Sequence, residues 1–218
     1  MDIIKNAWEP QSDAQSLLAL AGVSDRAAYE CDRQRRAEEL IELCQITTEN
    51  RGFEIGSGEG IVAAIIGKKC RALDCLDISE YFLNTARLLC GQQGNITFHL
   101  IENDYLRSLP SSTYDFGFAM NVFIHFNPYD IYNYLYDVSR VLKPGGVFLF
   151  DAATLGHKTI PLFKQAADAY RQHPETIRGL MNFNHPEIVK IIIDEVGLHI
   201  TDKSVIGDWM KILVKKPG

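Results

Sequence analysis

Apolar and polar positions change rhythm near residue 50. Before it, apolar residues recur at helical spacing. Leu17, Leu18, Leu20 and Ala21 cluster, Gly22 interrupts, and Ala28 to Cys44 predicts a long helix closing on Leu40, Ile41, Leu43 and Cys44. From Gly52 onward, short apolar runs alternate with amphipathic stretches. Gly52–Ile55, Leu73–Asp77, Ile96–Ile101, Tyr114–Met120 and Val147–Phe150 predict strands. Ile61–Ile66, Ser79–Cys90 and Asp130–Leu142 predict helices. Ser79 is the candidate N-cap of the second, with Gly91 beyond its end. Tyr132, Leu135, Val138 and Leu142 make the apolar stripe of the third. Pro144-Gly145-Gly146 predicts a turn.

Strands and helices in this alternation predict βαβ units and a parallel sheet with helices on both faces. After the fifth strand the rhythm loosens. Residues 154–184 hold Pro161, Pro174 and a helix from Leu162 to Arg171, an interruption suited to a lid or a substrate-shaping insertion. Pro186–Val196 resumes as a helix with His185 just before it. Leu198–Val205 and Trp209–Val214 predict two strands joined by Gly207-Asp208 as an edge hairpin.

The 218 residues carry a net charge of −6, so no global basic field favours a nucleic-acid partner. The mixed cluster from Asp32 to Glu39 reads as a solvated helix face. Five cysteines in no C-x-x-C pair predict small buried hydrophobes in a reducing compartment, with no metal. Met1–Pro10 lacks the apolar core of a signal peptide, and no apolar run reaches membrane-spanning length. The expectation is a cytoplasmic protein with no membrane contact.

The chemistry centres on Glu54-Ile55-Gly56-Ser57-Gly58-Glu59-Gly60, a strand, a tight turn and a helix start. Glycine permits positive φ and close approach of a ligand, and the helix start offers N–H groups and a positive dipole end. The G-x-G-x-G spacing departs from the dinucleotide G-x-G-x-x-G. Asp77 lies 21 residues after Gly56 at the end of the next strand, where a carboxylate accepts from both ribose hydroxyls. Its alternative role is a turn or capping aspartate. The glycine turn, Asp77, Asn103-Asp104 and Asn121 all fall at predicted strand C-ends, where such sheets bind ligands.

In this series the chain resembles the class I S-adenosylmethionine-dependent methyltransferases. The glycine segment is similar to their first motif, Leu76-Asp77-Ile78-Ser79 to the second and Glu102-Asn103-Asp104-Tyr105 to the third. Tyr114 to Asn121 resembles the fourth, and Arg140 to Gly146 the segment before the fifth strand. The resemblance covers about residues 50–152. It implies a Rossmann-like, doubly wound α/β sheet, mostly parallel with a reversed last strand. An N-terminal helical cap (1–48) would precede a methyltransferase domain (49–218) with an insertion at about 154–185.

The resemblance also implies roles. Gly56, Gly58 and Gly60, with Ser57 in the same turn, would bring backbone close to the methionine part of S-adenosylmethionine. Glu54 would lie near its amino group, Asp77 would bind the ribose, and Ile78 would pack on adenine. Asp104, beside Asn103, would accept from the adenine amino group, with Tyr105 adjacent to the ring. Asn121 would face the methionine end. Glu54 equally suits a pair with a nearby cation. Arg33 suits either the cofactor carboxylate or a surface cation, and Tyr29 is equally open.

Methyl transfer then asks for an aligned nucleophile and excluded water. His125 is the base candidate beside the fourth strand, and a loop-orienting histidine is the competing reading. His157, His173 and His185 suit a substrate pocket or the surface. The acceptor is expected to be a small molecule and the product S-adenosylhomocysteine. A non-catalytic S-adenosylmethionine-binding subunit and an NAD-dependent oxidoreductase are the alternatives.

Overall fold

The apolar runs after residue 50 fold as strands in a computed structural model, which describes residues 25–101, 105–174, 181–202 and 204–218. The strands are β1 (Arg51–Ile55), β2 (Ala72–Asp77), β3 (Ile96–Leu100), β4 (Tyr114–Ala119), β5 (Leu142–Ala153), β6 (His199–Ile200) and β7 (Trp209–Lys215). They make a seven-stranded sheet, parallel but for the reversed β7. The helices are α1 (Arg26–Leu43), α2 (Ile61–Ile66), α3 (Glu80–Cys90), α4 (Pro128–Val141), α5 (Ile160–Gln172) and α6 (Pro186–Glu195). The chain divides into two compact units, Met1–Asn103 and Asp104–Gly218.

In the first unit the strands lie in the order β3-β2-β1, with Phe53 opposite Asp74 and Asp74 opposite Thr97. β1 and β2 are buried on both faces, which is why they read as continuous apolar runs rather than alternating ones. The Ser79 hydroxyl caps α3 by accepting from Phe82 N at 3.2 Å. α1 begins at Asp25, whose carboxylate accepts from Ala27 N and Ala28 N. It buries Tyr29, Arg33, Ala37 and Leu40 along one stripe. The described part of the expected cap thus falls in the same compact unit as β1–β3. Trp8 and the Leu17–Ala21 cluster lie outside the described residues.

In the second unit the order is β4-β5-β7-β6. Phe116, Phe118, Phe123, Phe148 and Phe150 are fully buried and form its aromatic core. α4 starts at Pro128, with the Asn127 side chain accepting from Tyr129 N and Asp130 N. Its buried stripe runs through Ile131, Tyr134, Leu135, Val138 and Val141. Tyr132 therefore falls outside the stripe expected of it and is exposed, as are Tyr129 and Tyr136.

Two expectations change here. Lys143-Pro144-Gly145-Gly146 is no turn before a strand: pairing with β4 starts at Leu142, skips these four residues and resumes at Val147. The segment is a bulge inside β5, held by Gly145 N to Lys216 O (3.0 Å) and Lys216 N to Gly146 O (2.9 Å). Lys143 Nζ donates to Asp115 at 2.6 Å across it. The expected strand Leu198–Val205 shrinks to His199–Ile200. Past Ile200 the arm leaves the ladder and returns for one bridge, Val205 with Lys211, with the Ser204 hydroxyl accepting from Leu213 N between them. Cys70, Cys75 and Cys90 are buried as expected, but Cys31 is exposed.

Candidate functional site

In the first unit the glycine turn joins β1 to α2. Gly56, Gly58 and Gly60 have φ of 73°, 50° and 81°, values that only glycine adopts without strain. The turn's own N–H groups are committed to holding it against β2. Gly56 N and Ser57 N donate to Leu76 O (2.7 and 3.2 Å), Gly58 N to Asp77 Oδ2 (2.8 Å) and Gly60 N to Ser57 O (3.0 Å). What the turn presents is therefore unobstructed backbone rather than a row of donors. At Gly60 packing adds a second constraint. A Cβ there would lie 2.7 Å from Ala86 Cβ of α3.

Asp77 is buried, and its other oxygen accepts from Ser79 N at 2.9 Å. The turn-bracing role weighed for Asp77 is thus present. An ionised carboxylate has about four acceptor positions, so these two bonds leave room for further donors. Ile78 is half-buried beside it. The Ser57 hydroxyl is buried and finds no hydrogen-bond partner among the described residues. Such an orphaned group is costly unless something else pairs with it.

Glu54 lies wholly inside. Burial pushes its carboxyl well above the usual carboxylate range, the Cys75 thiol at 3.6 Å opposes this, and the Asp77 charge adds to it. Arg33 attracts it from α1. The Arg33 guanidinium is buried, donates to Asp32 at 2.9 Å and lies 5.0 Å over the Tyr29 ring. Burial raises the Tyr29 hydroxyl to about 12, against the pull of Arg33. Sequence reasoning missed the pair of Arg26 and Glu59, 2.5 Å apart, which ties α1 to the glycine turn. Its signal was weak: one acid inside the glycine motif.

In the second unit Tyr105 has φ +53°, and its hydroxyl accepts from Asn133 Nδ2 at 3.1 Å. Asn121 follows β4 with φ +59°, and its N–H reaches both Asp151 oxygens at 2.8 and 3.0 Å. Asp151 was missed because the fifth strand was expected to end at Phe150, whereas β5 runs on to Ala153. Asn103 and Asp104 lie outside the described residues. His125 ends a short 3₁₀ turn, Phe123–His125, and is half-buried. His157, His173 and His185 are exposed, and His185 caps α6 through Nδ1. Among the described residues no group of three or more His, Cys, Asp or Glu is placed to hold a metal ion.

A family model described as "Methyltransferase domain" matches residues 53–150. Residues 53–150 belong to the methyltransferase domain family. Demethylmenaquinone methyltransferase from Tropheryma whipplei is 33% identical over 112 residues. That stretch is 51% of this chain and 44% of the relative, so the chain spans under half the length of the curated relatives it matches. Among solved structures, the YcgJ protein from Bacillus subtilis superposes with TM-score 0.68 at 13% identity, over 85% of this chain and 99% of that one. Geranyl diphosphate C-methyltransferase from Streptomyces coelicolor, solved with S-adenosyl-L-homocysteine, gives 0.68 at 11% identity over 100% and 97%. These likenesses show the Rossmann-like fold around the methyltransferase domain.

Proposed function

We propose that the chain is an S-adenosylmethionine-dependent methyltransferase that transfers the methyl group in line to a small-molecule acceptor, with S-adenosylhomocysteine as product. The left-handed glycine turn fastened to Asp77, inside a segment that matches the methyltransferase domain, carries this reading. The residues fit the cofactor. Asp77 accepts from the ribose hydroxyls with the positions that Gly58 and Ser79 leave. Gly56 and Gly58 admit the methionine chain, and the orphaned Ser57 hydroxyl gains a partner. Glu54 meets the ammonium group, Arg33 the carboxylate, and Ile78 the adenine face. Asn103, Asp104 and Tyr105 serve the adenine, and Asn121 the methionine end. Gly60 is needed for packing on Ala86 as much as for the ligand.

When bound, the sulfonium supplies an electrophilic methyl group. The chain's own task is to hold the acceptor aligned and exclude water. His125 takes the acceptor's proton where the nucleophile must lose one. Residues 1–48 act as a cap and 154–185 as the acceptor-shaping insertion of the domain 49–218. The curated relative's small acceptor supports the substrate class. The test is a radiolabelled methyl-transfer screen across metabolite classes, with calorimetric titration of S-adenosylhomocysteine and NAD. Tight S-adenosylhomocysteine binding without transfer to any acceptor would make the chain a binding subunit. NAD binding alone would overturn the proposal.

A further inference from the structure

Residues 182–184 lie far along the sequence from the 3₁₀ turn that carries His125, yet they close on it. Asn182 N donates to Ile124 O at 2.7 Å, Asn182 Nδ2 to His125 O at 2.8 Å, and Asn184 Nδ2 to Phe126 O at 2.8 Å. Three consecutive carbonyls are thus taken by one short segment. That segment is itself pinned to the end of β5, through Asn184 N to Ala153 O at 2.7 Å and a parallel bridge between Phe183 and Ala153.

The period-two alternation of extended backbone explains the division of labour. Asn182 and Asn184 turn their amides to the His125 turn, while Phe183 makes an edge contact, 5.5 Å between centroids, with Phe163 of α5. From the other side the turn is held by Phe123, which is fully buried against Phe126, Phe148 and Phe150. Asn184 is 4% exposed, so its amide is a buried polar group whose loss leaves the Phe126 carbonyl short of a donor.

We infer that Asn182 and Asn184 are positioning residues that set the bearing of His125 and link the α5 insertion to it. With the carbonyls on both sides of the His125 α-carbon fixed, its imidazole direction follows from the segment and from its own side-chain torsions. The inference rests on His125 being the base of the proposed methyl transfer.

The test compares wild type with Asn182→Ala, Asn184→Ala and Asn184→Asp. The last keeps the shape and loses the N–H donor. S-adenosylhomocysteine affinity is expected to stay within twofold in all three. With an acceptor that the wild type methylates, kcat is expected to fall at least tenfold below the variants' melting temperatures, with Asn184→Asp as impaired as Asn184→Ala. Without an acceptor, the His125 ring nitrogens are followed by ¹⁵N NMR against pH, and the variants are expected to change its tautomer balance or titration midpoint. Lower melting temperatures with unchanged kcat and unchanged His125 resonances overturn the inference. So does full activity in Asn184→Asp. Failure of the wild type to bind S-adenosylhomocysteine refutes the proposed function instead, and leaves the NMR comparison to decide the positioning role.

Discussion

At the scale of single residues, Asp77 and Glu54 carry the account. Asp77 braces the turn and, in the proposed function, receives the ribose. Bonds to a charged acceptor contribute about 1.5–3 kcal/mol each, so Asp77→Ala should weaken S-adenosylhomocysteine binding by about ten- to a hundredfold and lower the melting temperature. Calorimetric affinity equal to wild type would refute the ribose assignment. Glu54 makes a prediction with pH. Its native pKa is raised above the unfolded value, so its contribution is fully present below the ordinary carboxylate range. That contribution is lost as pH rises through the native value. The ligand-free protein should therefore lose stability from about pH 5 upward, and Glu54→Gln should flatten that slope in denaturant titrations. An ammonium group beside Glu54 favours the ionised form, so wild-type ligand affinity should rise with pH and binding should release a proton. Identical pH dependence in wild type and Glu54→Gln would count against both statements.

At the scale of elements, the strands were legible because parallel strands buried on both faces appear as short apolar runs. The α3 cap was legible because Ser79 supplies a local side-chain acceptor, and Gly60 because its φ of 81° leaves few other choices. The reason Gly60 also meets Ala86 was not legible, since helix-to-helix spacing leaves no local trace. Gly60→Ala should cost about 2–4 kcal/mol from overpacking and left-handed backbone strain. Adding Ala86→Gly should restore the packing share, as read from urea unfolding. No recovery in the double variant would place the whole cost on the backbone. The Lys143–Gly146 bulge escaped sequence reasoning for a related reason. Proline and glycine mark a departure from regular backbone, but they do not tell that pairing resumes on both sides. Asp151, Asn182 and Asn184 escaped because single polar residues with distant partners break no periodic pattern.

At the scale of the whole molecule, the family of residues 53–150 was legible as motifs in order, each at a strand's end, and the fold follows from that. The acceptor was not legible. The turn and Asp77 would serve almost any methylated substrate in the same way, and the segments proposed to shape the acceptor lie outside the matched stretch. Among the described residues no helix is long and apolar enough to cross a membrane. The central claim is that the glycine turn and Asp77 hold S-adenosylmethionine. Titration calorimetry of the purified chain with S-adenosylhomocysteine, with NAD in parallel, tests it most directly. The account predicts saturable one-to-one binding of S-adenosylhomocysteine, weakened in Asp77→Ala, and no binding of NAD. Saturable NAD binding with no S-adenosylhomocysteine signal would contradict it.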